Sequence, residues 1–173
     1  DIIGHSMGGK AAMVLALKNP NFVNRLLIAD IAPVKYEHDQ SKFIEAMQKV
    51  DLSKVEKRSE AIAALSNFVE DKSLQSFFTQ SLDLKTKSWK LNLDILSSEM
   101  HEILSFPKID EKFSGQTLFF RGEKSEYIRA EHREIINSLF TKARFATLKD
   151  AGHWLHAEKP REFENAARLF FTE

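Results

Sequence analysis

The spacing of apolar residues changes twice near the start of the chain. Residues 1–3 end in two β-branched residues, which predicts the end of a buried strand. Over residues 8–19, apolar side chains recur at helical spacing until an Asn-Pro pair ends the pattern. Residues 23–32 are again largely apolar and predict a second buried strand, which proline stops. Strand, helix and strand in this order predict a βαβ unit with a parallel sheet.

A different pattern occupies residues 35–107, where charges are dense and glycine is absent. Apolar residues such as Phe43, Met47 and Val50 recur at helical spacing and predict several helices inserted between two strands. Such stripes are typical of a hydrophobic core, and some would also suit a lid over a substrate pocket. We therefore predict core residues 1–34, a helical lid insertion over 35–107, and further core residues 108–173.

Strand-like sequence returns after the insertion. The pattern predicts strands over residues 116–121 and 143–148, helices over 126–140 and 160–171, and a loop at 150–153. Together with the βαβ unit, these elements predict an α/β fold with a mostly parallel sheet and helices on both faces. Because a strand cannot stand alone, we expect further N-terminal strands of the same fold that are missing from this sequence.

Composition excludes some classes of protein. The chain has 25 basic and 25 acidic residues and no cysteine. This balance lacks the basic patch of a nucleic-acid-binding protein, and disulfides and cysteine-based metal sites are excluded. No apolar run approaches the length of about 20 residues that a membrane span requires, so we expect none. The lack of cysteine fits a reducing compartment, and we expect a cytoplasmic protein.

The motif Gly4-His5-Ser6-Met7-Gly8 matches the pattern G-x-S-x-G between a predicted strand and a predicted helix. In this context the serine is a nucleophile held in a strained turn above the sheet. We expect Gly4 and Gly8 to be small so that the strand and helix can approach each other. The backbone N–H of Met7, at the helix N-terminus, is then a donor to the oxyanion that forms.

The base and acid should follow the nucleophile in the order serine, acid, histidine. His153 lies in the predicted loop between the last strand and the last helix, and Gly152 gives that loop freedom to turn the imidazole toward Ser6. His156 makes an H-x-x-H spacing with His153, but no third ligand is near, so we expect no metal site. His5 should pack under the turn, and His38, His101 and His132 should lie on the surface or the lid.

The acid is less obvious from the sequence. Many hydrolases with this motif place it in G-x-x-D after the next-to-last strand, whereas this chain has Ser125 there, in Gly122-Glu123-Lys124-Ser125. Asp30 is the favoured candidate because an aspartate in an apolar run needs a partner when buried. Glu123 and Asp150 are weaker candidates. Ser125 would then hydrogen-bond the histidine or the acid, and Trp154 would shield the site or pack in the core.

Several segments together resemble the bacterial YbfF-type esterases of the α/β-hydrolase superfamily. They are residues 4–10 around Ser6, residues 30–34 from Asp30, Ser125 with Tyr127, and residues 152–160 around His153. The resemblance runs along the whole chain and is weakest in the predicted lid. It implies that the acid follows the sixth strand of the complete sheet, as Asp30 would, and that a serine stands at the usual acid position, as Ser125 does.

The resemblance also implies an activity. These enzymes hydrolyse short-to-medium acyl esters and acyl-CoA thioesters without a cofactor, so we expect a serine esterase or thioesterase that acts through an acyl-enzyme. The family carries further strands and a His-Gly loop before the nucleophile, and that loop supplies a second oxyanion donor. We expect that N-terminal segment as the missing part of the fold.

Other functions stay open at the level of sequence. The same serine triad supports carbon–carbon bond hydrolases, haloperoxidase-like enzymes and lactonases, and a catalytically silent binding domain or a nonfunctional fragment would also carry these motifs. Lys85, Lys87 and Lys90 flank Trp89 in the predicted lid. They would suit the phosphates of coenzyme A, although a solvated face is the favoured explanation for such lysines.

Overall fold

The computed structural model describes residues 1–37 and 40–172 of the 173-residue chain. In chain order the strands and helices are β1 (Ile2–His5), α1 (Met7–Lys18), β2 (Arg25–Ala29), α2 (Ser41–Gln48), α3 (Arg58–Leu65), α4 (Lys72–Thr79), β3 (Leu82–Asp83), β4 (Ser88–Trp89), α5 (Leu93–Ser98), α6 (Met100–Leu104), β5 (Gln116–Gly122), α7 (Arg133–Leu139), β6 (Ala143–Leu148), α8 (Leu155–Glu158) and α9 (Pro160–Thr172). None of these helices combines the length and apolar character of a membrane span.

The chain divides into two compact units. One, which we call the α/β unit, consists of Asp1–Lys35 and Phe106–Glu173. The other, the insertion unit, consists of Tyr36–Ser105. The α/β unit therefore forms from two segments that lie far apart in the sequence, whereas the insertion unit is continuous.

The α/β unit contains a parallel sheet in the strand order β1-β2-β5-β6. At its carboxyl edge, Ala29 pairs with His5 on one side and with Phe120 on the other. The amide of Ser6 continues this row by donating to the carbonyl of Ala29 (3.1 Å), and the amide of Asp30 donates to the carbonyl of Phe120 (2.9 Å). Parallel pairing thus brings residues from distant parts of the chain to one edge of the sheet.

Strand β2 forms the centre of this unit. All four residues from Leu26 to Ala29 are fully buried, as expected for a parallel strand covered on both faces. On one face, Leu27 and Ala29 share a cluster with Leu155 of α8 and Phe170 of α9. Burial of this kind stabilises by roughly 25 cal/mol for each Å² of apolar surface removed from water. The packing therefore fixes the strand ends that carry the site.

The insertion unit has its own hydrophobic core. Ile44 and Met47 of α2 pack with Leu65 of α3 and Leu93 of α5. The unit also contains an antiparallel hairpin of β3 and β4, where the pattern predicted only helices. Leu74, Phe77 and Phe78 of α4 are followed by Leu82 at a helical spacing, so the apolar spacing alone does not distinguish the start of the hairpin from a further helical turn.

Two predicted boundaries in the α/β unit are wrong. Strand β2 ends at Ala29, because Asp30 adopts a left-handed backbone (φ 53°) that leaves the strand. The helix predicted from residue 126 starts later, with a short 3-10 turn at Ala130–His132 before α7. Helix α8 lies between the predicted loop and the predicted last helix, where the pattern predicted no element. Each error falls next to the site, where the chain leaves regular structure.

Candidate active site

Ser6 lies in the turn between β1 and α1. Its backbone has φ 51° and ψ −123°, a conformation that a residue with a side chain rarely adopts, so the expected strain is present. The turn leaves the first N–H groups of α1 without acceptors inside the helix, and the carbonyl of Ser6 accepts the first helical bond, from Lys10 (3.1 Å). The N–H of Met7 is therefore in the first turn, directly after the serine.

Two glycines allow the strand and helix of this turn to approach each other. A Cβ atom on Gly4 would lie 2.6 Å from the carbonyl oxygen of Gly8, and one on Gly9 would lie 2.5 Å from the Ile31 side chain. A Cβ atom on Gly8 meets nothing within 4 Å among the described residues. The expectation that Gly8 must be small is thus wrong, and Gly9 takes that role because it faces the sheet.

The three residues at the centre of the site form a continuous chain of hydrogen bonds. Nε2 of His153 lies 3.0 Å from Oγ of Ser6, and Nδ1 of the same ring lies 2.8 Å from Oδ2 of Asp30. Their positions in the sequence are separated by 147 and 123 residues respectively. The parallel sheet accounts for this, since Ser6 and Asp30 follow neighbouring strands and His153 follows β6.

Asp30 is completely buried, and its carboxylate has several donors. The backbone N–H of Gly122 donates to Oδ1 (3.0 Å), and the hydroxyl of Ser125 donates to Oδ2, which also faces His153. These bonds supply the partners that a buried carboxylate needs. The serine at the position where related hydrolases have aspartate therefore bonds the candidate acid directly.

Ser125 also connects to the ring above His153. The N–H of Tyr127 lies 3.3 Å from Oγ of Ser125, and the phenol ring stacks on the imidazole of His153 with centroids 3.9 Å apart and planes inclined by 20°. Burial raises the pKa of Tyr127, and the nearby charge of Asp30 raises it further. The phenol therefore stays neutral at physiological pH and covers one face of the imidazole.

The loop that carries His153 is fixed by backbone contacts. The carbonyl of Ala151 accepts from the N–H of Lys124 (2.9 Å), and the N–H of Gly152 donates to the carboxylate of Glu158 (2.9 Å). Trp154 follows, with its ring centroid 5.8 Å from that of His153. The loop is thus held both to the end of β5 and to α8.

Two further histidines pack beside this loop. His5 places its ring 4.7 Å from that of His153 and 4.5 Å from that of His156. Burial lowers the pKa of His156, and it lowers the pKa of His5 to about 4. Nδ1 of His156 is buried without a partner among the described residues. The sequence suggested that His5 packs under the turn, but not that its ring contacts the loop of the candidate base.

The other candidates lie outside this cluster of bonds. Glu123 accepts from the N–H of Asp150 (2.9 Å), and Asp150 pairs with Lys124 (3.5 Å), so both alternative acids have partners other than His153. In the insertion unit, Lys87 pairs with Glu56 (2.7 Å). Within residues 1–37 and 40–172, no group of three or more His, Cys, Asp or Glu side chains could hold a metal ion.

The structure describes two of the three histidines that the sequence predicts on the surface or the lid. His101 is exposed in the insertion unit, and His132 is half-buried near the start of α7. His38 lies outside the described residues. Neither His101 nor His132 contributes to the hydrogen-bond chain described above.

The family model for the alpha/beta hydrolase fold matches residues 1–160. The chain belongs to this family. In this α/β hydrolase, the candidate nucleophile Ser6 precedes the candidate acid Asp30 and the candidate base His153 along the chain. The fold class expected from the strand and helix pattern is thereby confirmed.

Named relatives of this α/β hydrolase include enzymes that act on esters. The chain is 38% identical to the mouse sn-1-specific diacylglycerol lipase ABHD11, aligned over 99% of this chain and 58% of that protein. It is 31% identical to the Escherichia coli esterase YbfF, over 99% of this chain and 66% of that protein, which confirms the resemblance found in the sequence.

A solved structure is similar over almost the whole chain. It is a marine microorganism esterase with a TM-score of 0.92 and 35% identity, and the alignment covers 98% of this chain and 69% of that one. The chain spans a little over half the length of the mouse lipase and about two thirds of the two esterases.

Proposed function

We propose that this α/β hydrolase is a serine esterase that cleaves acyl esters through an acyl-enzyme intermediate. The observation that carries the proposal is the hydrogen-bond chain from Ser6 through His153 to Asp30, with distances of 3.0 and 2.8 Å. A nucleophile, a base and a group that orients the base, each within hydrogen-bond reach, are what activation of a serine hydroxyl requires.

The proton positions follow from the partners of each atom. Asp30 accepts from Gly122 and Ser125, so it also acts as the acceptor toward His153, and Nδ1 of that histidine carries the proton. Nε2 is then unprotonated and accepts from the hydroxyl of Ser6. In this tautomer the imidazole takes the serine proton as Oγ attacks the ester carbonyl.

The remaining steps use the same groups. Negative charge on the tetrahedral intermediate is stabilised by the N–H of Met7 at the start of α1, where the helix dipole also favours an anion. His153 protonates the leaving alcohol, which leaves an acyl group on Ser6. It then accepts a proton from water as the water attacks the acyl-enzyme, and it returns that proton to Oγ of Ser6 as the carboxylic acid product leaves.

Oxygen esters are the substrate class that we propose first. The relatives are named esterases and a diacylglycerol lipase, which supports esters over coenzyme A thioesters. The lysines around Trp89 that were considered for the phosphates of coenzyme A give the thioester little support. Lys87 already bonds the carboxylate of Glu56 and the backbone carbonyl of Val55. Short-to-medium acyl chains, the role of residues 35–107 as a lid and a cytoplasmic location stay predictions from the sequence.

The test is hydrolysis of a graded series of p-nitrophenyl acyl esters, a diacylglycerol and an acyl-CoA by the intact protein. We expect saturable turnover of the esters, strongest for one range of chain length, and loss of turnover in Ser6→Ala. If the folded protein turns over none of these substrates, a binding domain replaces the esterase. Turnover of the thioester alone would replace the ester assignment with a thioesterase.

A further inference from the structure

His5 is the residue directly before the candidate nucleophile, and its side chain bonds the loop of the candidate base. Nε2 of His5 lies 2.8 Å from the backbone carbonyl oxygen of His153. A carbonyl oxygen only accepts, so Nε2 of His5 must carry a proton and donate it to this bond. The contact therefore fixes the tautomer of His5 as well as the position of the loop.

This bond links the loop to a different part of the chain from the backbone bonds of Ala151 and Gly152 described above. Ala151 and Gly152 are bonded to the segment after β5 and to Glu158, both on the C-terminal side of the insertion. His5 belongs to β1, the strand that leads into Ser6. Its bond to His153 thus holds the backbone of the base against the strand of the nucleophile, beside the bond between their side chains.

The surroundings of His5 keep its ring neutral, so the ring donates this hydrogen bond without adding a positive charge beside His153. Burial lowers its pKa to about 4; the charges on His153 and His156 also lower it, against the opposing influences of the His153 carbonyl and Asp30. These are the titratable groups that face it. At neutral pH the ring is an uncharged donor, so it does not oppose the positive charge that His153 acquires when it takes the serine proton.

We propose that His5 is a positioning residue, whose Nε2–H holds the main chain of His153 so that the imidazole reaches Ser6. The inference rests on the proposed serine hydrolase function. It assigns to the variable residue of G-x-S-x-G a hydrogen bond rather than a packing role. A loss of this bond should disturb the chemical step more than substrate binding, because it shifts the base and leaves the substrate contacts in place.

Two substitutions separate the hydrogen bond from packing. His5→Phe keeps an aromatic ring but has no donor, whereas His5→Gln carries an amide N–H at a similar reach and has no ring. For ester hydrolysis by the intact protein, we expect kcat to fall by about 10- to 100-fold in His5→Phe, with KM little changed. His5→Gln should stay within a few-fold of the wild type. Equal losses in both variants, or none in His5→Phe, would overturn the proposal.

His156→Phe is the matched control, because His156 also contacts the ring of His5, whereas the described bond to the His153 carbonyl comes from His5. We expect its kcat to stay within a few-fold of the wild type. A loss as large as that in His5→Phe would assign the effect to ring packing and overturn the proposal. Thermal unfolding of each variant identifies any that does not fold.

A measurement on the wild type needs no substitution. Nitrogen-15 NMR of the histidine rings reports which nitrogen carries the proton, and we expect His5 to be protonated at Nε2 and to keep that state between pH 5 and pH 8. A neutral ring protonated at Nδ1 would contradict the bond and overturn the proposal, whereas titration in this range would contradict the uncharged state of the donor. If NMR shows the bond but the intact protein hydrolyses no ester, the proposed function fails, and the positioning role fails with it. The NMR spectrum and the activity assay therefore distinguish failure of the bond from failure of the proposed function.

Discussion

Buried Asp30 of the α/β unit and the buried polar side chains Gln75 and Thr79 of the insertion unit find their partners in different ways. In the α/β unit, the partners of Asp30 are 92 to 123 residues away, and Ser6 meets a residue 147 positions distant. In the insertion unit, buried Gln75 bonds the carbonyl of Val69, six residues earlier, and Thr79 bonds the carbonyl of Ser76, three residues earlier. The first arrangement requires the assembled sheet, whereas the second needs only a local turn.

The ion pairs of the insertion unit give a second contrast with Asp30. Asp30 is fully buried in the α/β unit, while the carboxylates and lysines that pair in the insertion unit, such as Asp51 with Lys54, remain largely exposed. Exposed pairs contribute at most about 1 kcal/mol each. The comparison teaches that burial with long-range partners distinguishes the carboxylate for which we propose a chemical role, and that an exposed ion pair does not by itself indicate a site.

The sharpest test of this comparison replaces one aspartate in each unit by asparagine. Asp30→Asn keeps the left-handed backbone, which asparagine tolerates, but removes the charge beside His153. We expect kcat for ester hydrolysis to fall by about 10⁴-fold. The matched change Asp83→Asn, at an exposed turn in the insertion unit, should leave kcat within twofold. Activity retained in Asp30→Asn would contradict the difference drawn between the units.

The next largest effect should come from the close packing of strand β1 against helix α1 at Gly4. Gly4→Ala would place a methyl group against the backbone of Gly8 and Gly9, so we expect the free energy of unfolding to fall by about 3 kcal/mol. Gly8→Ala has open space around the added methyl group and lies in α1, where alanine is favoured over glycine by up to about 1 kcal/mol. Urea unfolding of both variants measures the contrast, and equal destabilisation would contradict the structure of the turn.

A buried histidine should make the α/β unit sensitive to acid. The pKa of His5 falls from its ordinary value of 6.5 to about 4 on folding, so the unfolded chain binds a proton more readily than the folded chain between these values. The free energy of unfolding should therefore decrease as the pH falls from about 6.5 to about 4.

Replacing His5 tests this slope. In His5→Gln the decrease should be shallower, with a residual part from His156, whose pKa is also lowered by burial. At pH 8 the imidazoles of His5 and His156 are neutral in both the folded and the unfolded chain. The difference in the free energy of unfolding between the variant and the wild type should therefore no longer change with pH there. An unchanged slope in His5→Gln, measured by urea unfolding across the pH range, would show that other groups control it.

The smallest effect should come from the insertion unit. Asp71 precedes α4 and its carboxylate accepts from the N–H groups of Ser73 (2.7 Å) and Leu74 (3.2 Å). Asp71→Ala should lower the free energy of unfolding by about 1 kcal/mol, because the helix N-terminus loses its cap. Ester turnover should not change. A large fall in kcat would show that the insertion unit supports the site more closely than its local bonding suggests.

The sequence made the site predictable where its signals are local. Ser6 was found from G-x-S-x-G between a strand and a helix, and His153 from its place after the last strand. Asp30 was inferred from a charge in an apolar run. The bond of Ser125 to Asp30 was among the stated expectations, since a serine replaced the usual acid.

Other features depend on residues that meet only after folding. The bond from His5 to the carbonyl of His153 leaves no pattern in the sequence, and neither does the stacking of Tyr127 on the imidazole. The end of β2 was missed because the backbone of Asp30 turns to meet a strand that comes 86 residues later at Gln116. The hairpin β3–β4 was missed because its strands have only two residues each, too few for an alternating pattern.

The most direct test of the central claim is to treat the intact protein with a fluorophosphonate, which reacts with an activated serine, and to locate the adduct by mass spectrometry. We expect one adduct on Ser6, formed rapidly in the wild type and lost in Asp30→Ala and His153→Ala. A folded protein that forms no adduct, or that is modified at a different serine, would contradict the assignment of Ser6, His153 and Asp30 as the catalytic group.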